Sequence, residues 1–299
     1  MGEIFPLVGI LPAFDLFFVL SSILVFLYCV IRKLPLTLPT IFLSIVTIIW
    51  MNRNGAVSFY SDSKAIDKVK VLSLNVGQFG KDASDLNAVI NMIDFRQPEI
   101  IALQEFGLYH KWPDTESMAR DFKEEIGFAY YHFEPHKDNI FGTAIFSKYP
   151  IIKSEMIFNE TSQTNEGWKH RIVRNTDTIE IINMHLESFN LNNQNRLSLN
   201  EVLLKQERQI HSLLKAHNPN FKTVVCGDFN MVAGSKVYNT VHKKFDDAIL
   251  EAGLAWLPTL KTYPIRIDHV FHNQLTTIID ARMDWKTPSD HAAILFRVN

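Results

Sequence analysis

The chain has only two cysteines, and neither Cys29 nor Cys226 is placed to pair with the other or spaced like a metal ligand. That excludes a disulfide framework and a thiolate zinc site. A basic excess is also missing: 30 Lys and Arg stand against 32 Asp and Glu, for a net charge of -2. The broad cationic footprint of a strong nucleic-acid binder is therefore lacking. No internal repeat or low-complexity stretch is present. What is there is ordinary for a folded protein, 299 residues of which 47% are apolar and 21% charged, so size alone can supply a core.

Charge is scarcest in residues 1–51, where Glu3, Asp15, Arg32 and Lys33 are the only Asp, Glu, Arg or Lys residues. Ala13 to Ile31 is 19 residues long and Leu34 to Met51 is 18, close to the ~20 residues with which a helix crosses a bilayer. A cleaved signal peptide would need a basic start and one short apolar core. Here Met-Gly-Glu opens the chain and a second run follows the first. The pattern predicts a two-helix transmembrane hairpin over residues 1–51, spans 13–31 and 34–51, turning at Ile31 to Pro35. Asp15 falls near a span end, where a carboxylate reaches headgroup water. Arg32 and Lys33 favour a cytoplasmic turn, which puts both ends of the hairpin outside, although Arg53 and Lys64 pull the other way. Residues 52–68 are polar and mixed, and read as a linker.

From residue 69 onward strands and helices alternate. Apolar runs such as Val71 to Leu74, Ile100 to Leu103 and Val224 to Cys226 read as buried strands. Leu86, Val89, Ile90 and Ile93 recur at helical spacing behind Ser84 as N-cap, and Pro98 stops that helix. Gly142 to Ser147, the Ile151-Ile152 run, and the two runs around Asn175-Thr-Asp177 between Arg171 and His185 read as consecutive antiparallel strands. Leu199, Val202, Leu203, Ile210, Leu213 and Leu214 mark one face of a long helix. Mixed βα and ββ connections predict an α/β sandwich with sheets inside and helices outside.

Polar residues arrive one at a time at the ends of these runs: Asn75, Glu105, His185, Asp228 with Asn230, Asp268, and Asp290-His291. Such a rim binds a hard metal ion and handles phosphate. In Gly227-Asp228-Phe229-Asn230 the glycine reads as a sharp turn after the strand, with Asp228 and Asn230 aimed to one side; an Asx-stabilised turn is the bland alternative. Glu105 at a sheet rim needs a neighbouring Arg or a metal to neutralise it, and oxygen ligands point to Mg²⁺ or Mn²⁺. Asp268 is placed to hold His291 in one tautomer. His185 reads either as a donor to phosphate or as a strand-end histidine bonded to its own loop. His272 reads as an ordinary surface histidine.

Taken in order, these motifs resemble those of the endonuclease/exonuclease/phosphatase superfamily: Leu-Asn-Val at Asn75, Leu-Gln-Glu at Glu105, Gly-Thr-Ala-Ile-Phe-Ser-Lys-Tyr-Pro-Ile ending at Ile151, Asn-Met-His-Leu at His185, Gly-Asp-Phe-Asn at 227–230, Arg-Ile-Asp-His-Val-Phe from Arg266, and Ser-Asp-His at 289–291. The resemblance spans residues 69–299 and implies a four-layer α/β sandwich of two facing sheets. It implies Glu105 as main metal ligand with Asn75 and Asp290 near the metal, Asp228 and Asn230 beside the attacking water, His185 on the phosphate, and His291, oriented by Asp268, as general base. Water would attack phosphorus directly, with Mg²⁺, or Mn²⁺ in its place, neutralising charge. One departure is Gly77, where abasic endonucleases carry an Asp.

The hairpin narrows the expected substrate. A phosphoesterase tethered at a bilayer meets headgroups at high effective concentration, and the layout resembles membrane-anchored bacterial members of the superfamily. The expected partners are the lipid bilayer and a phosphorylated lipid or envelope phosphate ester, with the protein multi-pass in the bacterial inner membrane and its catalytic domain extracytoplasmic. A membrane-tethered non-specific endonuclease is the alternative.

Overall fold

The computed structural model describes residues 15–32, 68–79, 83–107, 114–134, 141–159, 165–189, 197–252, 257–263 and 265–299. In it the apolar runs become strands of two six-stranded sheets. The first has the order β11 (Ile278–Asp284), β12 (Ala293–Val298), β1 (Val69–Asn75), β2 (Ile100–Phe106), β4 (Gly142–Ser147), β3 (Tyr130–Phe133). The second runs β5 (Ile151–Asn159), β6 (Glu166–Arg174), β7 (Asp177–His185), β8 (Lys222–Asp228), β10 (Asp268–His272), β9 (Asp246–Asp247). In each sheet the central pair is parallel, β1 with β2 and β7 with β8, and the other neighbours are antiparallel.

Alternation along each strand assigns its residues to two different cores. Val71, Ile100, Ala102 and Ile145 of the first sheet meet Ile181, Val224, Cys226 and Val270 of the second. Their sequence neighbours face outward. Leu72, Leu103 and Phe146 pack under α2 (Ala83–Arg96) and α3 (Thr115–Glu125) through Leu86, Val89 and Phe122. Ile182, Met184, Val225 and Phe271 pack under α4 (Leu199–Ala216) and α5 (Lys236–His242) through Ile210, Leu213, Val237 and Val241. A short helix, α6 (Ala248–Glu251), follows β9. Each fully buried Leu, Ile or Phe contributes about 1.5–3 kcal/mol, so it is the double-sided apolar strands that hold the four layers together.

The structure revises several expectations. Helix α2 already begins at Ala83, so Ser84 lies in its first turn rather than at the cap. Strand β4 does not continue an antiparallel series into β5. It pairs with β2 and β3, and the chain crosses to the second sheet after Ser147. Closeness in sequence does not set pairing: only Lys148-Tyr149-Pro150 separate the two strands, yet each pairs elsewhere. The β5-β6-β7 meander forms as read, turning at Asn175-Thr176. The first expected span is helix α1 (Asp15–Ile31), 17 residues long. Among the described residues no helix is long and apolar enough to cross a membrane. The second expected span, 34–51, and the linker up to residue 67 lie outside the described residues.

Candidate active site

Strand register builds one wall of the site. Across the second sheet Asn159 pairs with Glu166, Glu166 with His185, His185 with Asp228, and Asp228 with Asp268. Residues paired in register share a face of the sheet, so five strands deliver an acid-and-imidazole row at one edge. The segment entering β10 is fastened by a buried ion pair, Arg266 to Asp247 at 2.9 Å, with the Tyr238 hydroxyl donating to the same carboxylate at 2.7 Å. Burial opposes ionisation of Asp247, but the Arg266 guanidinium prevails and holds its carboxyl well below the usual range.

Asp228 is the hub. Its Oδ2 accepts from Asn75 Nδ2 at 2.9 Å, and its Oδ1 accepts from the Asn230 backbone N–H at 2.9 Å. Both imidazoles turn Nε2 toward Oδ2, His185 and His291 each at 3.8 Å, too far for a direct hydrogen bond. Burial, then the negative charge of Asp268, pushes the Asp228 carboxyl upward in pKa. His291 donates through Nδ1 to Asp268, 2.9 and 3.1 Å from its two oxygens. Its backbone N–H donates to Ser289 Oγ at 3.1 Å, and Ser289 Oγ donates to Asn75 O at 2.7 Å, which ties the His291 segment to the first sheet. Burial would lower the His291 pKa, but Asp268, Asp228 and Asp290 together outweigh it and raise it to about 10. Asp228 and His291 thus titrate as a pair.

The first sheet supplies the opposite wall differently. Glu105 sits at a register shift of β2, with φ +50°, and its side chain is 26% exposed. Its carboxylate accepts from Asn75 Nδ2 at 3.2 Å and Gln78 Nε2 at 3.4 Å, and His185 Nε2 lies 3.7 Å away. After β1 the chain makes a left-handed turn, with Gly77, Gln78 and Phe79 all near φ +55°. The Gly77 N–H donates to Asn75 Oδ1 at 2.9 Å. A side chain at Gly77 would point toward Ser289 and the exposed Asp290, with room to spare.

Two acid groups could hold a cation. Asp228, Asp268 and His291 bring ligand atoms within 4.8 Å of one another. That group is buried, and His291 Nδ1 is already committed to Asp268. Glu105 fits better. Its oxygens receive only long contacts from two amides, it opens to solvent, and hard oxygen donors suit a divalent ion. Asn75 turns its amide nitrogen to both carboxylates and spends its oxygen on Gly77, so in this arrangement it bridges the two walls.

Of the residues expected from sequence, Asn75, Glu105, His185, Asp228, Asp268 and His291 converge through these contacts. Asn230 joins through its backbone, while its Nδ2 donates to Leu186 O at 3.0 Å. Asp290 reaches the group through Ser289, whose Oγ lies 3.4 Å from Asp290 Oδ1. Gly227 does not make the turn. It lies within β8 at φ +137°, and a Cβ there would stand 2.0 Å from Met184 O of the neighbouring strand; the turn falls to Asn230 at φ +47°. Asp228 to Asn230 is an Asx-type bond, which is the bland reading. His185 turns Nε2 toward the acids. His272 is not at the surface as expected: it is buried in β10 and bonded to Glu251 at 2.8 Å.

Two polar residues escaped sequence reading. Gln78 follows directly on the Asn75 motif and was passed over as loop. Glu166 is buried, accepts from the Thr143 N–H at 2.5 Å and its hydroxyl at 3.0 Å, and is pushed by burial up to about 7, with Thr143 opposing. An acid directly before Gly167-Trp168 in an otherwise apolar-basic strand was the available signal.

Comparison with known proteins agrees with this architecture. D. rerio TDP2 complexed with single strand DNA product is 17% identical, with a TM-score of 0.61 over 78% of this chain and 99% of that one. A protein of the endonuclease/exonuclease/phosphatase family from Leptotrichia buccalis is 15% identical, with a TM-score of 0.59 over 77% and 99%. The catalytic domain of human Nocturnin with bound sulfate is 16% identical, with a TM-score of 0.56 over 78% and 93%. At these identities the likeness is one of fold. No curated protein matches the chain significantly. The model of the Endonuclease/Exonuclease/phosphatase family matches residues 72–291, a stretch that holds every candidate site residue. The chain belongs to the endonuclease/exonuclease/phosphatase family and is a metal-dependent phosphoester hydrolase.

Proposed function

We propose that this hydrolase works at a membrane, using Mg²⁺ to cleave a phosphate ester on a phosphorylated lipid or another envelope metabolite by direct attack of water. The observation that carries the membrane reading is α1, whose Leu24, Val25, Leu27, Tyr28, Val30 and Ile31 are exposed together. An apolar surface of that kind seeks a partner. Seventeen residues span about 25 Å as a helix, short of the ~30 Å hydrocarbon core, so α1 would act with the apolar run 34–51. Under this reading the catalytic body lies on the extracytoplasmic side of a bacterial inner membrane.

A bound Mg²⁺, held by Glu105 with Asp290 near, would neutralise charge on the phosphoryl group. His185 would donate to a phosphate oxygen. Asp228 and His291 would share the proton taken from water, with Asp268 fixing the imidazole. Purified full-length protein, mixed with vesicles containing phosphatidic acid or a polyprenyl phosphate, is expected to release phosphate or headgroup in Mg²⁺ and not in EDTA. Absence of release on both vesicle types sinks the lipid reading. Similarity to a TDP2 that holds single strand DNA product supports a second reading, a membrane-tethered nuclease. Plasmid nicking lost in Glu105→Ala, without lipid turnover, would favour it.

A further inference from the structure

Helix α4 keeps two glutamines on its buried face, between Val202 and Leu213: Gln206 and Gln209. A bonded amide in a core position costs desolvation that a leucine would not, so what these amides hold is informative. Gln206 Nε2 donates both to Glu187 O at 2.7 Å and to Asn230 O at 2.9 Å. Gln209 Oε1 accepts the Glu187 N–H at 3.1 Å, and Lys205 Nζ donates to Glu187 Oε2 at 3.2 Å. Glu187 follows His185 by two residues and Asn230 follows Asp228 by two, so one side chain grips the segments leaving both central strands. The same segments are tied to each other, Leu186 N to Asp228 O and Asn230 Nδ2 to Leu186 O, each at 3.0 Å.

We propose that Gln206 is a positioning residue for the hydrolytic step, fixing the Asn230 peptide relative to His185 and Asp228. Asn230 adopts a left-handed conformation, which asparagine tolerates better than most non-glycine residues, and bonds on both sides fix it there. On one side its N–H is taken by Asp228 Oδ1; on the other its carbonyl is taken by Gln206. Releasing the carbonyl frees the turn to relax and withdraws the N–H that aims the hub carboxylate. A residue that only filled the core would change stability and leave the chemical step alone. The inference rests on the hydrolytic reading of the site and is independent of the substrate's identity.

The test uses full-length protein with bis(p-nitrophenyl) phosphate and Mg²⁺. Gln206→Met and Gln206→Glu keep the volume and remove the donors. Both are expected to lower kcat about 30- to 100-fold with KM within about twofold of wild type. Unchanged kcat in a folded variant overturns the proposal, as does a loss carried by KM alone. If neither Gln206 variant folds, Gln206→Asn, which keeps the amide but draws it back by one methylene, is expected to lower kcat about tenfold, and wild-type kcat there overturns the proposal. A wild-type protein inert toward the probe refutes the hydrolytic reading instead, so the two failures are distinguishable.

Discussion

The two sheets share one plan and present different rims. Each has a central parallel pair flanked by antiparallel strands. The second sheet delivers Glu166, His185, Asp228 and Asp268 by strict register and buried. The first delivers Glu105 by breaking register, at a left-handed residue open to solvent. A ladder fixes the spacing of neighbouring groups, whereas a bulge re-aims one carboxylate toward water. The site is thus a rigid, buried wall facing a more open wall, with Asn75 as the strap between them.

The largest effect is expected on the rigid wall. His291→Ala should lower kcat about 10³- to 10⁴-fold on bis(p-nitrophenyl) phosphate, with Mn²⁺ affinity by calorimetry within a few-fold of wild type. On the open wall, Glu105→Ala should cost about 10²- to 10³-fold in activity and weaken Mn²⁺ binding at least tenfold. Should the two variants show the same metal affinity, the division of labour between the walls fails.

Glycines sharpen the contrast at the level of stability. Gly227→Ala drives a Cβ into Met184 O and should cost at least about 3 kcal/mol or abolish folding. Gly77→Ala meets Ser289 Oγ and Asp290 Oδ1 only at ordinary contact distance, 3.7 and 3.9 Å, and is destabilised mainly through its left-handed φ, about 1–2 kcal/mol. Thermal melts of the two variants decide this, and equal losses would contradict the packing described.

The smallest effect is a slope with pH, and its sign is fixed. His291 binds its proton more tightly folded than unfolded, so its stabilising contribution is complete below about pH 6.5 and is lost as pH rises through about 10. The raised Asp228 carboxyl adds to the same trend. In EDTA, denaturant melts should show stability falling by up to about 1.4 kcal/mol per pH unit between pH 7 and 10. In Asp268→Asn the slope should flatten.

The strand-end residues were legible in sequence because a run of four buried residues followed by one polar residue is a local signal. Asn75, Glu105, His185 and Asp228 carry it, whereas Asp268 follows a single apolar residue and His291 precedes its apolar run. The sandwich class was legible for the same reason. Which sheet a strand joins was not, since β4 and β5 are close in sequence and partner choice is settled by residues farther away in the chain. Gly227 was noticed for a wrong reason: its need is the close approach of β7, invisible without register. Gln206 recurs with Val202, Ile210 and Leu213 at helical spacing, so an amide on an apolar stripe could have been flagged, though its two targets could not.

Strand β1 is flanked by β12, with Val69 beside Val298, and the Ser289 hydroxyl behind His291 reaches back to Asn75. Pairings this distant in sequence are slow to form. On a ribosome, α1 and the strands bearing Glu105 and Asp228 emerge well before the segment bearing His291. The Ser289 and His291 contacts that close the site therefore form late, only once β12 can dock beside β1.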